Sequence, residues 1–190
     1  MAGPSARRMI PEEFYIWQLG QDERYELVDG VPRPLRAMTG ASNRRDTILH
    51  NCAGELHARL KGKPCRVAGA DTALRTAIRT SRRPDVTVDC SDPVDDSYES
   101  HRPTVAIEIL SPSTTKVDRF VKLEEYRRHP TLRHILLVDP DVMAAVHYSR
   151  PEGGEWRDVE LNGAEAVIEF AAIDVELPLG ALYDRLKAPG

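Results

Sequence analysis

The order of hydrophobic and polar positions along this chain predicts helices and strands in alternation. Two segments, Thr104–Leu110 and His134–Asp139, are apolar at nearly every position, which is typical of strands buried on both faces. The segment between them carries apolar residues at helical spacing as far as about Arg128. A buried strand, a helix and a second buried strand form a crossover unit, which implies a parallel strand pair. We therefore predict an α/β fold with a mixed central β-sheet.

Shorter elements complete this predicted architecture. Pro11 and the two acids after it open a short helix, and Ser42 is expected to cap a longer helix that runs to about Lys61. Alternation of apolar and polar residues predicts a strand over Pro84–Cys90. The other predicted elements are strands at Tyr25–Val28, Cys65–Gly69 and Thr72–Ile78, a turn at Asp29-Gly30, a turn and cap at Ser111–Thr114, a hairpin of Ala144–Tyr148 and Trp156–Leu161, and a closing helix over Leu179–Leu186.

Length and composition narrow the class of protein. The 190 residues, 41% of them hydrophobic and 29% charged, fit one globular domain over residues 1–190. No apolar stretch approaches the length that spans a membrane, and we expect no membrane partner. The three cysteines are widely spaced and form no CxxC motif, which argues against a disulfide framework and a zinc site. We expect small core residues and a reducing cytoplasmic location.

The distribution of charge is uneven. The formal net charge is −4, yet residues 33–83 carry +9 and the remainder −13. A basic flank on an acidic body suits contact with nucleic-acid phosphates. An ordinary solvated helix and hairpin would give the same count, and both interpretations stay open here.

Two acidic residues in predicted strands are candidates for chemistry. Glu108 lies inside the most apolar strand. Burying an unpaired carboxylate there costs several kcal/mol of folding free energy. It is therefore a functional residue or half of a structural ion pair. Asp85 lies on another strand, and the 22 residues between the two suit neighbouring strands joined by a loop. Two converging carboxylates repel each other unless a cation lies between them, and hard oxygen ligands suit Mg²⁺ or Mn²⁺.

A lysine could complete such a site. Lys122 lies in the helix that follows the Glu108 strand and folds back over the sheet. From there it could reach an attacking water or a phosphate oxygen. Because Asp118 precedes it by one turn, a surface ion pair is the alternative.

The motifs resemble a known family. Pro84-Asp85-Val86, the run Ile107–Thr114, and then Asp118, Lys122 and Tyr126 are similar in order and spacing to the Uma-type restriction endonucleases of the PD-(D/E)XK nuclease superfamily. Tyr25–Gly30 and Leu136–Pro140 match the same pattern, so that the resemblance spans about residues 10–186.

This resemblance implies a restriction-endonuclease-like fold, with a mixed central sheet flanked by helices and an extra β-hairpin. It also implies phosphodiester hydrolysis with Mg²⁺ or Mn²⁺, Asp85 and Glu108 as metal ligands, Lys122 as a catalytic group and Glu26 as an acid that completes the site. The superfamily's usual lysine two positions beyond the glutamate is Leu110 here, and Lys122 stands where family members offer a lysine instead.

Two functions from different classes follow. The first is a metal-dependent DNA endonuclease, which the set of Asp85, Glu108 and Lys122 favours. The second is a catalytically inactive nuclease-like module for nucleic-acid binding or assembly, which Leu110 and the acidic net charge favour. A purely structural protein would leave Glu108 unexplained. A homodimer is expected because cutting both strands of a duplex usually takes two sites. The candidate nucleic-acid-binding residues are Arg44, Arg45, Arg82 and Arg83.

Overall fold

The structure, a computed structural model, describes residues 8–35, 43–111 and 116–187. The predicted caps at Ser42 and Ser113-Thr114 lie outside these ranges. No helix within them is long and apolar enough to cross a membrane.

The structure contains four α-helices and twelve strands within these ranges. The helices are α1 (Pro11–Gln18), α2 (Asn43–Leu60), α3 (Lys116–Arg128) and α4 (Leu179–Leu182), and a 3₁₀ turn covers Ala171–Ile173. The strands are β1 (Tyr25–Val28), β2 (Val31–Pro34), β3 (Arg66–Gly69), β4 (Leu74–Ala77), β5 (Thr80–Arg82), β6 (Val86–Asp89), β7 (Pro103–Ile109), β8 (His134–Asp139), β9 (Ala144–Ser149), β10 (Arg157–Asn162), β11 (Val167–Phe170) and β12 (Val175–Pro178).

The predicted mixed sheet is the centre of the fold. Six strands run in the order β10-β9-β8-β7-β6-β3. The pair β7 and β8 is parallel, with α3 as the crossover, and the other pairs are antiparallel. In β7 every residue except Glu108 is buried. The apolar composition of β7 and β8 therefore follows from their position inside the sheet with packed layers on both faces.

Two smaller sheets flank the central one. Strands β2-β1-β5-β4 form an antiparallel sheet, and β11 and β12 form a hairpin. Four of these strands, β2, β5, β11 and β12, are not among the predicted elements. Strand β2 contains two prolines and β5 has no apolar residue, so neither has the composition of a typical strand. The closing helix ends at Leu182 and not at the predicted Leu186.

The central sheet separates two layers of side chains. On one face, Ile48, Cys52 and Leu56 of α2 pack with Val105 and Ile107 of β7, together with α4 and the β11–β12 hairpin. On the other face, Ala106 of β7 packs with Tyr126 of α3, and with Leu132 and Ile135. Side chains alternate along a strand, so Glu108 shares the face of Ala106 and points towards α3.

The prediction that all three cysteines are free core residues is wrong for two of them. Cys65 and Cys90 form a disulfide, with their Cα atoms 4.1 Å apart, whereas Cys52 is free and buried. The antiparallel register of β3 on β6 pairs Arg66 with Asp89, which places Cys65, just before β3, opposite Cys90, just after β6. Spacing along the chain does not show this register, and the prediction failed for that reason.

A buried histidine pair lies at the junction of β8, β9 and β11. His134 Nε2 accepts a hydrogen bond from the Ala172 N–H at 3.1 Å, so its Nδ1 carries the proton and donates it to His147 Nε2, also at 3.1 Å. Both rings contact Phe170 edge-on. Burial, with His147 and Arg133 nearby, lowers the pKa of His134 to about 3, and burial lowers that of His147 to about 4. Both rings are neutral in the folded protein.

Candidate active site

Glu108 lies between the central sheet and α3. Its Oε1 accepts a hydrogen bond from the Tyr126 hydroxyl at 2.6 Å, and Lys122 Nζ lies 3.5 Å from the same oxygen. The side chain is 17% exposed. Burial raises the pKa of Glu108 and the charge of Lys122 opposes that shift, while Asp85 and Glu26 raise the pKa further. Glu108 therefore lies where additional positive charge would be stabilising.

Lys122 is an interior residue. Its Nζ contacts Glu26 Oε1 at 2.7 Å as well as Glu108, and its side chain is only 18% exposed. Burial lowers the pKa of Lys122, but the charges of Glu108 and Glu26 outweigh it and raise the pKa above its ordinary value. The ammonium is therefore charged and held between two carboxylates, which is a different environment from a surface ion pair with Asp118.

Glu26 reaches the site from the four-stranded sheet. Strands β1 and β2 are joined at the predicted turn Asp29-Gly30, whose φ angles of 50° and 80° are the left-handed values of a tight two-residue hairpin. The hairpin fixes Glu26 on β1, where it is only 5% exposed. Burial raises the pKa of Glu26, yet Lys122 and Arg82 outweigh this and lower it. Glu26 is therefore an ionised partner of both cations.

Asp85 is the acid nearest to the backbone of the Glu108 strand. It immediately precedes β6, and its Oδ2 accepts a hydrogen bond from the Ile109 N–H at 2.7 Å. Both of its carboxylate oxygens also accept hydrogen bonds from Arg45 Nη2, at 2.6 and 2.7 Å. Asp85 therefore lies beside the Glu108 strand, and its charge is close enough to raise the pKa of Glu108.

A second layer of charge supports Glu26. Arg82 donates to Glu26 Oε2 at 3.0 Å and binds Glu125 through two hydrogen bonds, each 2.7 Å long. Thr76 donates to Glu125 at 3.0 Å, and the Arg83 N–H donates to Glu26 at 3.2 Å. Within the described ranges the cluster thus holds four carboxylates and three cations, namely Glu26, Asp85, Glu108 and Glu125 with Arg45, Arg82 and Lys122. Arg119, which lines a pocket beside Glu108, adds a fourth cation and balances the charges.

A small pocket of about 40 Å³ lies beside Glu108. The residues that line it are Glu108, Ile109, Leu110, Arg119, Lys122 and Leu137. Leu110 stands where the superfamily usually has its lysine, and it lines the same pocket as Lys122. A lysine from α3 therefore reaches the space that the missing lysine would serve.

The donor set fits a hard divalent cation of the kind the family implies. No group of three or more His, Cys, Asp or Glu side chains suited to holding a metal occurs in the described part of the chain. Mg²⁺ is usually held by one or two carboxylates, several waters and substrate phosphates, so Asp85 and Glu108 suffice. Both hydrogen bonds of Glu108 to described residues use Oε1, which leaves Oε2 for a cation.

The four arginines predicted to bind nucleic acid all have protein partners. Arg44 donates to the main-chain carbonyls of Pro140 and Lys187, and Arg45 binds Asp85. Arg82 and Arg83 are each 7% exposed. The Arg83 guanidinium donates to main-chain carbonyls, among them Ala70 at 3.1 Å. Their contact with nucleic acid stays a prediction.

Three residues of the site were not identified as functional from the sequence. Tyr126, Glu125 and Arg119 lie four and three residues after Lys122 and three before it, a spacing that places all of them near one face of α3. Once Lys122 was a candidate, this spacing was the available signal. Arg119 donates to the Ser111 carbonyl at 2.8 Å, while its buried Nε has no hydrogen-bond partner among the residues that the structure describes.

Known proteins resemble this chain over most of its length. The model of the Uma2 family, described as putative restriction endonuclease, matches residues 11–180. The uncharacterized protein slr1290 of Synechocystis is 27% identical over 182 residues, covering 94% of this chain and 93% of that protein. A second Synechocystis protein, sll1609, is 28% identical over 157 residues, with coverages of 80% and 87%.

A solved structure shares the fold. The crystal structure of a putative nuclease belonging to DUF820 from Anabaena variabilis superposes with a TM-score of 0.72 at 18% sequence identity. The match covers 92% of this chain and 97% of that chain. The predicted restriction-endonuclease-like fold is confirmed by this likeness.

Proposed function

This chain belongs to the Uma2 family of putative restriction endonucleases, and on that premise we propose that it is a nuclease that hydrolyses DNA phosphodiester bonds with Mg²⁺ or Mn²⁺. The observation that carries the proposal is a pocket lined by Glu108 and Lys122, with Asp85 bound to the backbone of the Glu108 strand and close enough for its charge to raise the pKa of Glu108. Each charge is buried at a cost that only partners or a ligand can offset.

Each residue of the candidate site has a separate role in the proposed reaction. Asp85 and Glu108 would hold the divalent ion, which would supply charge stabilisation at the phosphate and lower the pKa of the attacking water. Tyr126 fixes the Glu108 carboxylate through its 2.6 Å hydrogen bond. Glu26 holds the Lys122 ammonium, and Arg82 holds Glu26. Such fixed side chains need little reorganisation when charge develops on the substrate.

Lys122 contributes a fixed positive charge to the site. Its raised pKa keeps the ammonium protonated, so the side chain does not remove a proton from water in the resting state. A protonated lysine in this pocket can orient the attacking water and stabilise negative charge on a phosphate oxygen. This role suits an electrostatic stabiliser better than a general base.

A second candidate function is an inactive nuclease-like module that binds nucleic acid or assembles with other proteins. The observation that favours it is the engagement of both Asp85 oxygens by Arg45, together with Leu110 at the usual lysine position. In this alternative the arginine neutralises Asp85 permanently and no metal binds.

The first test is a calorimetric titration of Mn²⁺ into the purified protein and into Asp85→Asn. The substrate phosphate normally supplies part of the coordination, so the titration extends well into the millimolar range. We expect saturable binding that Asp85→Asn abolishes and that Asp92→Asn, which changes an exposed acid in the following loop, leaves intact. Binding that is absent from the wild type with and without DNA favours the inactive module.

The second test is cleavage of supercoiled and linear DNA, with RNA in parallel to define the substrate class. We expect Glu108→Gln to lower the cleavage rate by about 100-fold or more, because even groups that only support a metal ligand are worth about 10- to 100-fold. Wild-type activity in Glu108→Gln would contradict the mechanism. Homodimerisation and a cytoplasmic location stay predictions.

A further inference from the structure

The guanidinium of Arg45 binds the oxygen atoms that a metal ion would need. Arg45 lies in the first turn of α2, and its Nη2 sits between the two Asp85 oxygens at 2.6 and 2.7 Å. Its Nε donates to the Ile109 carbonyl at 3.2 Å. The Arg45 and Asp85 side chains are 12% and 9% exposed, so water screens this pair poorly.

These contacts form a closed ring of hydrogen bonds among Asp85, Ile109 and Arg45. Asp85 accepts from the Ile109 N–H, the Ile109 carbonyl accepts from Arg45, and Arg45 returns to Asp85. A carboxylate and a main-chain carbonyl next to Glu108 are hard oxygen donors of the kind that Mg²⁺ and Mn²⁺ prefer. Arg45 therefore supplies positive charge at the place where the divalent ion is expected.

Arg45 and a divalent ion cannot both bind this face of Asp85 without strong repulsion. Two positive groups would share one carboxylate in a partly buried site, where like charges are poorly screened. The neighbouring Arg44 differs, because its bonds to described residues go to the main-chain carbonyls of Pro140 and Lys187. The two adjacent arginines of α2 thus have separate chemical surroundings.

We propose that Arg45 is an internal cation of the metal-free site and that a divalent ion binds only when Arg45 leaves Asp85. This inference rests on the proposed metal-dependent function and concerns how that site is regulated. An internal competitor lowers the apparent affinity by the fraction of molecules in which the site is open. If Arg45 holds Asp85 in about nine molecules of ten or more, the loss of affinity is about tenfold or more.

The test compares Mn²⁺ binding by calorimetry in four proteins: the wild type, Arg45→Gln, Arg44→Gln and the double variant Arg45→Gln/Asp85→Asn. We expect Arg45→Gln to bind Mn²⁺ about tenfold tighter or more, because the competing charge is gone. Arg44→Gln should match the wild type, since it removes the same charge from the same helix turn without touching Asp85. The double variant should lose binding, which would locate the gained affinity at Asp85.

A measurement on the unmodified protein covers the case in which Arg45→Gln does not fold. The Nε–H resonance of Arg45 is assigned in ¹⁵N-labelled wild-type protein by comparison with Arg45→Lys, and Mg²⁺ is then titrated. We expect the chemical shift of this resonance to change in proportion to the fraction of protein that has bound the metal. A resonance that stays fixed while the metal saturates would overturn the inference.

The remaining outcomes separate this inference from the proposed function. Equal or weaker Mn²⁺ binding in Arg45→Gln, with Asp85→Asn still abolishing binding in the wild-type background, overturns the competition and leaves the metal site standing. Absence of Mn²⁺ binding from all four proteins, with and without DNA, overturns both.

Discussion

Replacing Lys122 by methionine should destabilise the whole protein because it removes a buried cation from between two acids. The substitution keeps the length and the apolar stem of the side chain but deletes the charge that lies 2.7 Å from Glu26 and 3.5 Å from Glu108. Breaking a buried ion pair from one side costs about 3–5 kcal/mol. Glu26 keeps Arg82 at 3.0 Å, so we expect the lower end, about 3 kcal/mol.

The assay is thermal unfolding followed by far-UV circular dichroism. In a domain of this size, 1 kcal/mol shifts Tm by about 2–4 °C, so Lys122→Met should lower Tm by about 6–12 °C. Adding Glu26→Gln to Lys122→Met should cost less than the sum of the two single substitutions, because each removes the same ion pair. That difference measures the coupling between the two side chains.

Lys63→Met is the matched control. Lys63 also pairs with an acid, Asp174, at 3.0 Å, but the two side chains are 33% and 99% exposed. An exposed pair contributes about 0–1 kcal/mol, so Tm should fall by only a few degrees at most. Equal shifts in Lys122→Met and Lys63→Met would refute the claim that buried charge pairing holds this cluster together.

Two further predictions concern stability away from the site. Reducing the Cys65–Cys90 disulfide, which joins residues 25 apart, should cost about 3 kcal/mol and lower Tm by about 6–12 °C. For His134 and His147, the folded-state pKa values of about 3 and 4 lie below the value of about 6.5 in an unfolded chain. The unfolded chain thus binds more protons, and stability should fall from about pH 6.5 towards pH 4 by about 1.4 kcal/mol per pH unit for each histidine.

Each of these predictions has its own control. Cys65→Ser should have the Tm of the reduced protein, and dithiothreitol should not lower it further. A Tm that does not respond to reductant while thiol titration counts three free thiols would contradict the disulfide prediction. For the histidines, the variant His134→Gln/His147→Gln should show a shallower loss of stability on acidification. An unchanged slope would assign the pH dependence to other groups.

The architecture could be predicted where the hydrophobic pattern is strong. Buried strands β7 and β8, with a helix between them, were predicted from their apolar composition, and their parallel pairing followed from the crossover. Glu108 stood out because a carboxylate in such a strand needs a partner. Strand β2, with its two prolines, and β5, which has no apolar residue, carry no comparable signal.

The partners inside the site could not be predicted from the chain alone. Arg82 lies near the end of the basic segment and is a candidate for contact with nucleic acid, and the structure shows in addition that it is buried against Glu26 and Glu125. Sequence gives the charge of such a residue but not the direction of its side chain. The same limit applies to Arg45, whose carboxylate partner is 40 residues away, and to Cys65, whose partner depends on strand register.

The large separation in sequence between Glu26 and its partners has a consequence for how the protein folds. Its two cationic partners lie 56 and 96 residues further along the chain, and bonds between such distant segments close late because loop entropy must be overcome first. During synthesis the amino-terminal hairpin leaves the ribosome long before α3 does, so Glu26 meets Lys122 only after α3 has been made. A nascent chain that ends before α3 therefore lacks the Lys122 ammonium that pairs with Glu26, and the charged cluster can be completed only once α3 has been made.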